Sequence, residues 1–236
     1  MSASTSRAAV AGPSAQPAPA APPDPIALLR SRGYVAILLV ASLIGIPIAL
    51  VAFFFLALTT HLQGWVYQDL PKAIGLATPT WWPIPVLVSG GLLVALTIRY
   101  LPGHGGEVPA EGFHAGGGFA TPAELSGIAL AALITLGCGA VLGPEAPLIA
   151  IGGGLGAWAI RSLRHGAPAQ AVALVGAAGS FAAISTLLGS PLPAAFLLME
   201  IAGIGGAMTS LMLAPGLLAA GIGALIFVGL NSITGL

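Results

Sequence analysis

The feature that most constrains the fold is a long apolar run, YVAILLVASLIGIPIALVAFFFLALTT, which occupies residues 34–60. A helix of this length crosses the roughly 30 Å hydrocarbon core of a bilayer with some tilt, and Pro47 can kink it. Only 6% of the 236 residues are charged and 57% are hydrophobic, whereas about a quarter of a soluble domain is charged. The sequence therefore predicts an all-α integral membrane protein in contact with the lipid bilayer.

Charges near the first span predict its orientation. Arg7, Arg30 and Arg32 precede it, and Lys72 follows it in the next loop. The positive-inside rule then places the N-terminus in the cytoplasm and the loop 61–83 outside, in a protein of the cell (plasma) membrane. The aromatic residues of that loop are typical of membrane-interface anchors: Trp65, Tyr67, Trp81 and Trp82.

The chain divides into a tail and a membrane domain. Residues 1–25 are rich in Ala and Pro and poor in large apolar side chains, which predicts a disordered cytoplasmic tail. Residues 26–236 form the multi-pass membrane domain, in which a second span, 84–100, returns to the cytoplasm. Beyond residue 101 the apolar segments shorten and alternate with Gly- and Pro-containing turns: 124–142, 148–163, 170–188, 192–202 and 208–230.

These short segments predict tilted and broken transmembrane helices. Several hold fewer than the roughly 20 apolar residues that a full crossing needs. Helices that begin inside the membrane allow transporters to point positively polarised N-termini at anions. The spacing Gly152-x-x-x-Gly156 predicts a face for close helix packing, while charge alone does not fix the side on which Arg161 and Arg164 lie.

Composition argues against several other classes of function. A net charge of zero leaves no basic surface for nucleic acid. Cys138 is the single cysteine, so neither an intrachain disulfide nor a cysteine metal cluster can form. His104 and His114 lack a suitably placed carboxylate or cysteine for a metal site, and no histidine lies in a membrane segment to activate a serine nucleophile. We therefore expect neither an enzyme nor a bound metal or cofactor.

One carboxylate stands between apolar runs, Glu145 in the stretch GPEAP. A charge at membrane depth costs a few kcal/mol or more, which makes Glu145 a candidate functional residue. The structural alternative is that Glu145 stabilises the N-terminus of a helix that begins near Pro147, an effect of about 0.3–2 kcal/mol. Because a helix N-terminus that accepts a carboxylate also accepts a free anion, a glutamate that replaces the anion and leaves on protonation would be a gate.

Two other stretches have related chemistry. In LPGHGGEVPAEGFHAGG, 101–117, the glycines can expose successive amides that bind an anion, although an ordinary cytoplasmic loop is the alternative. In 177–206 an Ala-rich helix breaks at Gly189, and the next helix carries Glu200 near its C-terminus. The helix dipole disfavours a carboxylate there, so Glu200 is expected either to pair with another group or to take part in transport.

In this order, the three stretches resemble the CLC family of chloride channels and chloride/proton antiporters. That family has a G-S-G-I-P loop, then G-(K/R)-E-G-P, then an Ala-rich helix that breaks into a short Pro-Leu-containing helix ending in glutamate. Here GHGGE, GPEAP and AAGSFAAISTLLGSPLPAAFLLME stand at these places, and the resemblance covers 26–236. It implies a homodimer and the first of two inverted repeats of a CLC-type fold, with the second repeat absent from this chain.

The resemblance also implies roles for individual residues. Glu145 corresponds to the family's gating glutamate, which competes with the anion and is displaced by protonation. Pro144 and Ala146 replace a basic residue and a glycine of the family's motif, and His104 replaces an anion-coordinating serine. Anion contacts are implied for the following positions: Gly103, His104, Gly105, Gly106, Pro147, Ile149 and Ala150.

The mode of transport follows from the same resemblance. Antiporter members have two successive glutamates at the end of the short helix, whereas Glu200 is followed by Ile201. This favours a channel of the voltage-gated chloride type over a chloride/proton antiporter, with chloride or a similar small anion such as fluoride as the ion. The pathway needs a second inverted half, from a continuation of the chain or another copy. A non-transporting membrane subunit that serves only assembly is the alternative.

Overall fold

The described part of the chain is built from helices. The computed structural model describes residues 32–76, 79–103, 118–201 and 207–234, and none of these residues lies in a strand. The prediction of an all-α fold is confirmed. The predicted tail and His104, Gly105 and Gly106 lie outside the described residues. In chain order the helices are α1 (Arg32–Gly64), α2 (Leu70–Ala73), α3 (Pro83–Tyr100), α4 (Pro122–Gly137), α5 (Glu145–Leu163), α6 (Ala169–Leu188), α7 (Pro191–Ile201) and α8 (Ala207–Thr234).

Several of these helices have the length of membrane spans. α4 and α7 are shorter apolar helices, as the broken pattern predicts. α5 is longer than its apolar run because Glu145, Ala146 and Pro147 form its first turn, where a proline is tolerated. Within the described chain, five helical stretches are long and apolar enough to cross a bilayer: Arg32–Ala73, Pro83–Tyr100, Glu145–Leu163, Ala169–Leu188 and Leu211–Ile233.

Two boundaries differ from the sequence-based prediction. The loop predicted from residue 61 starts as helix, because α1 continues to Gly64 and is followed by a π-helical turn, Trp65–Asp69, and by α2. α4 ends at Gly137 although its apolar segment runs to 142, because Gly139 adopts a left-handed φ of 77° that ends the helix. The predicted break at Gly189 is observed, with a φ of 63° between α6 and α7.

α6 is the central helix of the described chain. Every residue from Val172 to Thr186 is buried, and α1, α5 and α8 pack around it. Most of these residues are Ala, Gly or Ser, so the neighbouring backbones come close. The buried Ser185 hydroxyl donates to the Ala220 carbonyl of α8 at 2.6 Å. The Tyr34 hydroxyl ties the start of α1 to α8 by donating to the Leu211 carbonyl at 2.9 Å.

Glycines form the closest contact, which joins α5 to α6. A Cβ atom on Gly152 would overlap the Gly179 carbonyl oxygen, and a Cβ atom on Gly179 would overlap the Gly152 carbonyl oxygen. One turn further along α5, a Cβ atom on Gly156 would lie 2.6 Å from the Val175 carbonyl oxygen. The predicted Gly152-x-x-x-Gly156 face is therefore the α5–α6 interface. In a bilayer, close van der Waals contact of this kind is a main source of helix association.

Replacing Gly179 by alanine should destabilise the α5–α6 pair. The added methyl group would press on the Gly152 backbone, which cannot rotate away as a side chain can, and such overpacking costs about 1–3 kcal/mol. Thermal unfolding of the purified protein in detergent measures the loss. Gly221→Ala in α8 is the matched control, because a Cβ atom there meets nothing within 4 Å and alanine favours the helix. Equal melting temperatures for the two variants would contradict this prediction.

Candidate functional site

Glu145 is the first residue of α5, two positions before the predicted start at Pro147. Pro144 precedes the helix with φ −76° and ψ 1°, and the Glu145 side chain is partly buried. The Leu148 N–H donates to the Pro144 carbonyl at 3.1 Å, and Pro147 has no N–H. The helix geometry thus leaves the amides of Glu145 and Ala146 without an intrahelical acceptor. The carboxylate therefore stands at the positively polarised end of α5.

The depth of Glu145 follows from the α5–α6 contact. Gly179 lies against both Gly152 and Ile48, and Ile48 is halfway along α1. Glu145 precedes Gly152 by seven residues, which is about 10 Å along a helix. If the midpoint of α1 lies near the bilayer centre, Glu145 lies within the apolar half-thickness of about 15 Å.

The opposite end of α5 lies beside the start of α1. A cavity of about 420 Å³ is lined there by Gly33 and Tyr34 of α1, by Ile160 of α5 and Arg164 directly after it, and by Leu174 of α6. The start of α1 and the end of α5 are therefore on one side of the molecule. Glu145 is at the other end of α5 and lies on the side where α1 ends. It does not line the cavity.

Side chains from the end of α1 and its π-helical turn hold the chain that leads to Glu145. Gln63 Nε2 donates to the Leu136 carbonyl at 2.8 Å, and the Tyr67 hydroxyl donates to the Cys138 carbonyl at 2.7 Å. Both acceptors are at the C-terminus of α4, where carbonyl groups have no helical partner. The sequence indicated only a membrane-interface role for Tyr67, because a contact across 71 residues leaves no local pattern.

Ser180 and Phe119 support α5 from the side of α6 and of the segment before α4. The buried Ser180 hydroxyl donates to the Ile149 carbonyl at 3.0 Å. The Phe119 ring occupies the space beside two glycines, since Cβ atoms on Gly153 and Gly176 would both meet it. These contacts fix the second turn of α5 and its middle. Neither residue was among the predicted site residues, although a serine in an apolar helix is a recognisable signal for a hydrogen bond to another helix.

Among the anion contacts predicted in the glycine-rich loop, Gly103 is the one that the structure describes. Its φ is 101°, and a Cβ atom on it would lie 2.6 Å from the Glu124 carbonyl oxygen in the first turn of α4. The next residue, Leu125, packs on Gly154, which follows Glu145 by nine residues, or about 13 Å along α5. Gly103 thus lies beside the first turn of α4, which packs on the middle of α5.

The other predicted site residues lie on α5 and α7. Pro147 is in the first turn of α5, and Ile149 and Ala150 follow as partly buried residues at its second turn. Glu200 is exposed in the last turn of α7. The structure brings Pro147, Ile149 and Ala150 together with Glu145 on one helix end, and it places Glu200 on a different helix. Their functional roles stay predictions.

Removing the Tyr67 hydroxyl should loosen the segment before Glu145. Tyr67→Phe keeps the ring and leaves the Cys138 carbonyl without its donor, a loss of about 0.5–1.5 kcal/mol. Hydrogen–deuterium exchange should then increase in peptides that cover residues 138–144. Tyr100→Phe is the control, because Tyr100 is 72% exposed at the end of α3. Unchanged exchange in the Tyr67 variant would show that this hydrogen bond does not hold the segment.

Comparisons with known proteins agree with the helical membrane architecture. Residues 26–214, a range that includes Glu145 and Glu200, match the family model described as "Voltage gated chloride channel". Relatives named "Putative ion-transport protein YfeO" in Salmonella paratyphi A, Salmonella newport and Salmonella typhimurium are each 32% identical over 173 residues. The matches cover 72% of this chain and 41% of each relative, so the chain spans less than half the length of these relatives.

Proposed function

Because this chain belongs to the voltage-gated chloride channel family, we propose that it forms half of a membrane pathway for chloride or a similar small anion. The family match over residues 26–214 and the five helical stretches able to cross a bilayer support this proposal. The chain spans 41% of the length of its YfeO relatives. The second inverted half would come from a continuation of the chain or from another copy, and the family resemblance favours a homodimer.

Glu145 is the proposed gate of this pathway. The observation that carries the proposal is a partly buried carboxylate on the first residue of α5, a helix long and apolar enough to cross a bilayer. The same helix end attracts a free anion, so the carboxylate and the anion would compete for it. Protonation removes the charge of Glu145 and with it the attraction, which would release the site to the anion.

The backbone around this helix end is the proposed anion contact. The amides of Glu145 and Ala146 lack an intrahelical acceptor, and Pro147, Ile149 and Ala150 continue the same turns. An anion held by amide groups alone keeps its charge compensated without a buried cation, which suits an ion that must also leave. The role of the glycine-rich loop that starts at Gly103 in binding the anion stays a prediction.

The distribution of arginines supports a cytoplasmic N-terminus. Arg32 begins α1, and Arg164 shares a cavity with Gly33, so the end of α5 lies on the same side. Pro102, soon after Arg99, packs on Gly127 in the first half of α4. The other end of α4 is held by Gln63 at the end of α1. Arg99 therefore lies on the side where α1 starts. The positive-inside rule then favours the cytoplasm for this side of the membrane. The arginines that share it are Arg32, Arg99, Arg161 and Arg164.

The proposed mode of transport is passive. Glu200 is followed by Ile201 rather than by a second carboxylate, and α6 carries no ionisable side chain from Ala169 to Leu188. The described residues of the central helix thus offer no protonatable group for coupling an anion to a counter-moving proton. An antiporter is the alternative within the same family.

Neutralising the proposed gate should raise anion flux. Glu145→Gln mimics the protonated side chain, so chloride efflux from liposomes that contain the intact protein should be faster at neutral pH. The variant should also lose the acceleration that acid gives the wild-type protein. Asp69→Asn is the control, because Asp69 is an exposed carboxylate beyond the end of α1.

The result that would refute Glu145 as the gate is an unchanged flux with an unchanged pH dependence. Absence of flux in every variant, alone or with any partner chain, would instead favour a non-transporting membrane subunit.

A passive channel should not pump protons. In liposomes with an imposed chloride gradient and no proton gradient, we expect chloride to move without stoichiometric proton movement in the opposite direction. A pH-sensitive dye inside the vesicles measures this, with an uncoupler as the positive control for proton entry. Uphill proton transport in a fixed ratio to chloride would identify an antiporter.

A further inference from the structure

Gly143 lies directly beneath the Glu145 carboxylate. The three atoms nearest to the place of a Cβ atom on Gly143 are Oε2, Cδ and Oε1 of Glu145, and a methyl group there would overlap Oε2. The Glu145 side chain thus folds back over the Cα atom of Gly143. It occupies the volume that any other residue at this position would fill with its own side chain.

The backbone conformation does not require glycine at position 143. Gly103 and Gly139 have φ values of 101° and 77°, which an L-residue rarely adopts, whereas Gly143 lies outside this left-handed region. The left-handed φ that would disfavour alanine is therefore absent at Gly143. What alanine would displace is the end of a flexible side chain, the Glu145 carboxylate.

Among the described residues, the elements that pack on α5 and the segment before it carry few other ionisable groups. α6, which packs along α5, has no ionisable side chain. α4 has Glu124, whose carboxylate accepts the Thr121 N–H at 2.7 Å, and α1 has Arg32, Tyr34 and His61. In the segment between α4 and Gly143, the Cys138 sulfur lies against Gly90, and the Cys138 carbonyl accepts from the Tyr67 hydroxyl. Within the part of the chain that the structure describes, the space over Gly143 and the end of α5 are thus the features found beside the carboxylate.

We propose that Gly143 is a positioning residue that seats the ionised Glu145 carboxylate in the closed state of the gate. This inference rests on the proposed gating function of Glu145. The missing side chain of Gly143 makes room for the carboxylate where it obstructs the anion. A methyl group at this position expels the carboxylate, so the pathway stays open whether or not Glu145 is protonated.

The chloride flux of three variants tests whether Gly143 positions the Glu145 carboxylate. Chloride efflux from liposomes at neutral and acidic pH is compared for Gly143→Ala, Glu145→Gln and the double variant. We expect Gly143→Ala to raise flux at neutral pH by roughly tenfold, toward the level of Glu145→Gln, and to lose most of the pH dependence. In the Glu145→Gln background, Gly143→Ala should add nothing further, because no carboxylate is left to displace.

A second readout follows the carboxylate itself. The chain has five glutamates, so NMR of protein labelled with ¹³C at the glutamate carboxyl carbon gives few signals, and Glu145→Gln identifies that of Glu145. Gly143→Ala should shift this signal, because the carboxylate then leaves the space over the Gly143 Cα atom. Gly91→Ala should leave the signal unchanged, because a Cβ atom on Gly91 meets nothing within 4 Å.

Three outcomes would contradict the proposed role of Gly143. The first is that Gly143→Ala has wild-type flux and an unchanged Glu145 signal. The second is that Gly143→Ala has a lower flux than the wild type. The third is that Gly143→Ala still changes the flux in the Glu145→Gln background. A failure of the gate is distinguishable from these, since Glu145→Gln would then have wild-type flux while the NMR shift still tests whether Gly143 positions the carboxylate.

Discussion

The close approach of α5 and α6 is the contact on which the rest of the site depends. Gly152 and Gly179 let two backbones touch at the level of Ile48, halfway along α1. Side chains on either glycine would separate the helices and shift the start of α5. Because Glu145 is the first residue of α5, the position of its backbone depends on how these two glycines pack. In a bilayer the hydrophobic effect contributes little to helix association, so close contacts of this kind must provide much of the stability.

Electrostatics and packing act on the same few residues. The start of α5 tolerates a carboxylate because its amides are polarised positively, and it is held in place by the Ser180 hydroxyl on the Ile149 carbonyl and by the Phe119 ring beside Gly153. These supports come from α6 and from the segment before α4. The site thus presents a helix end held by its neighbours, with one charged side chain on its first residue.

Apolar runs and isolated charges were enough to predict much of this architecture. The run from Tyr34 predicts α1 to within two residues at its start, and Glu145 was found because a lone carboxylate between apolar segments is costly. Helix ends were harder, since α4 stops at Gly137 through a left-handed Gly139 and through carbonyls that accept from Gln63 and Tyr67. Those partners are distant in sequence. The overlap of the Glu145 carboxylate with the Cβ volume of Gly143 likewise depends on the three-dimensional structure and leaves no signal in the sequence.

The composition of α6 has a consequence for where a gate would sense acidity. Fifteen consecutive residues, from Val172 to Thr186, are buried and include no acid, base or histidine. Protons move through proteins by way of titratable groups and water, and this close-packed helix offers neither route along its length. If Glu145 is the proposed gate, the proton that opens it would therefore travel by a route other than the interior of α6.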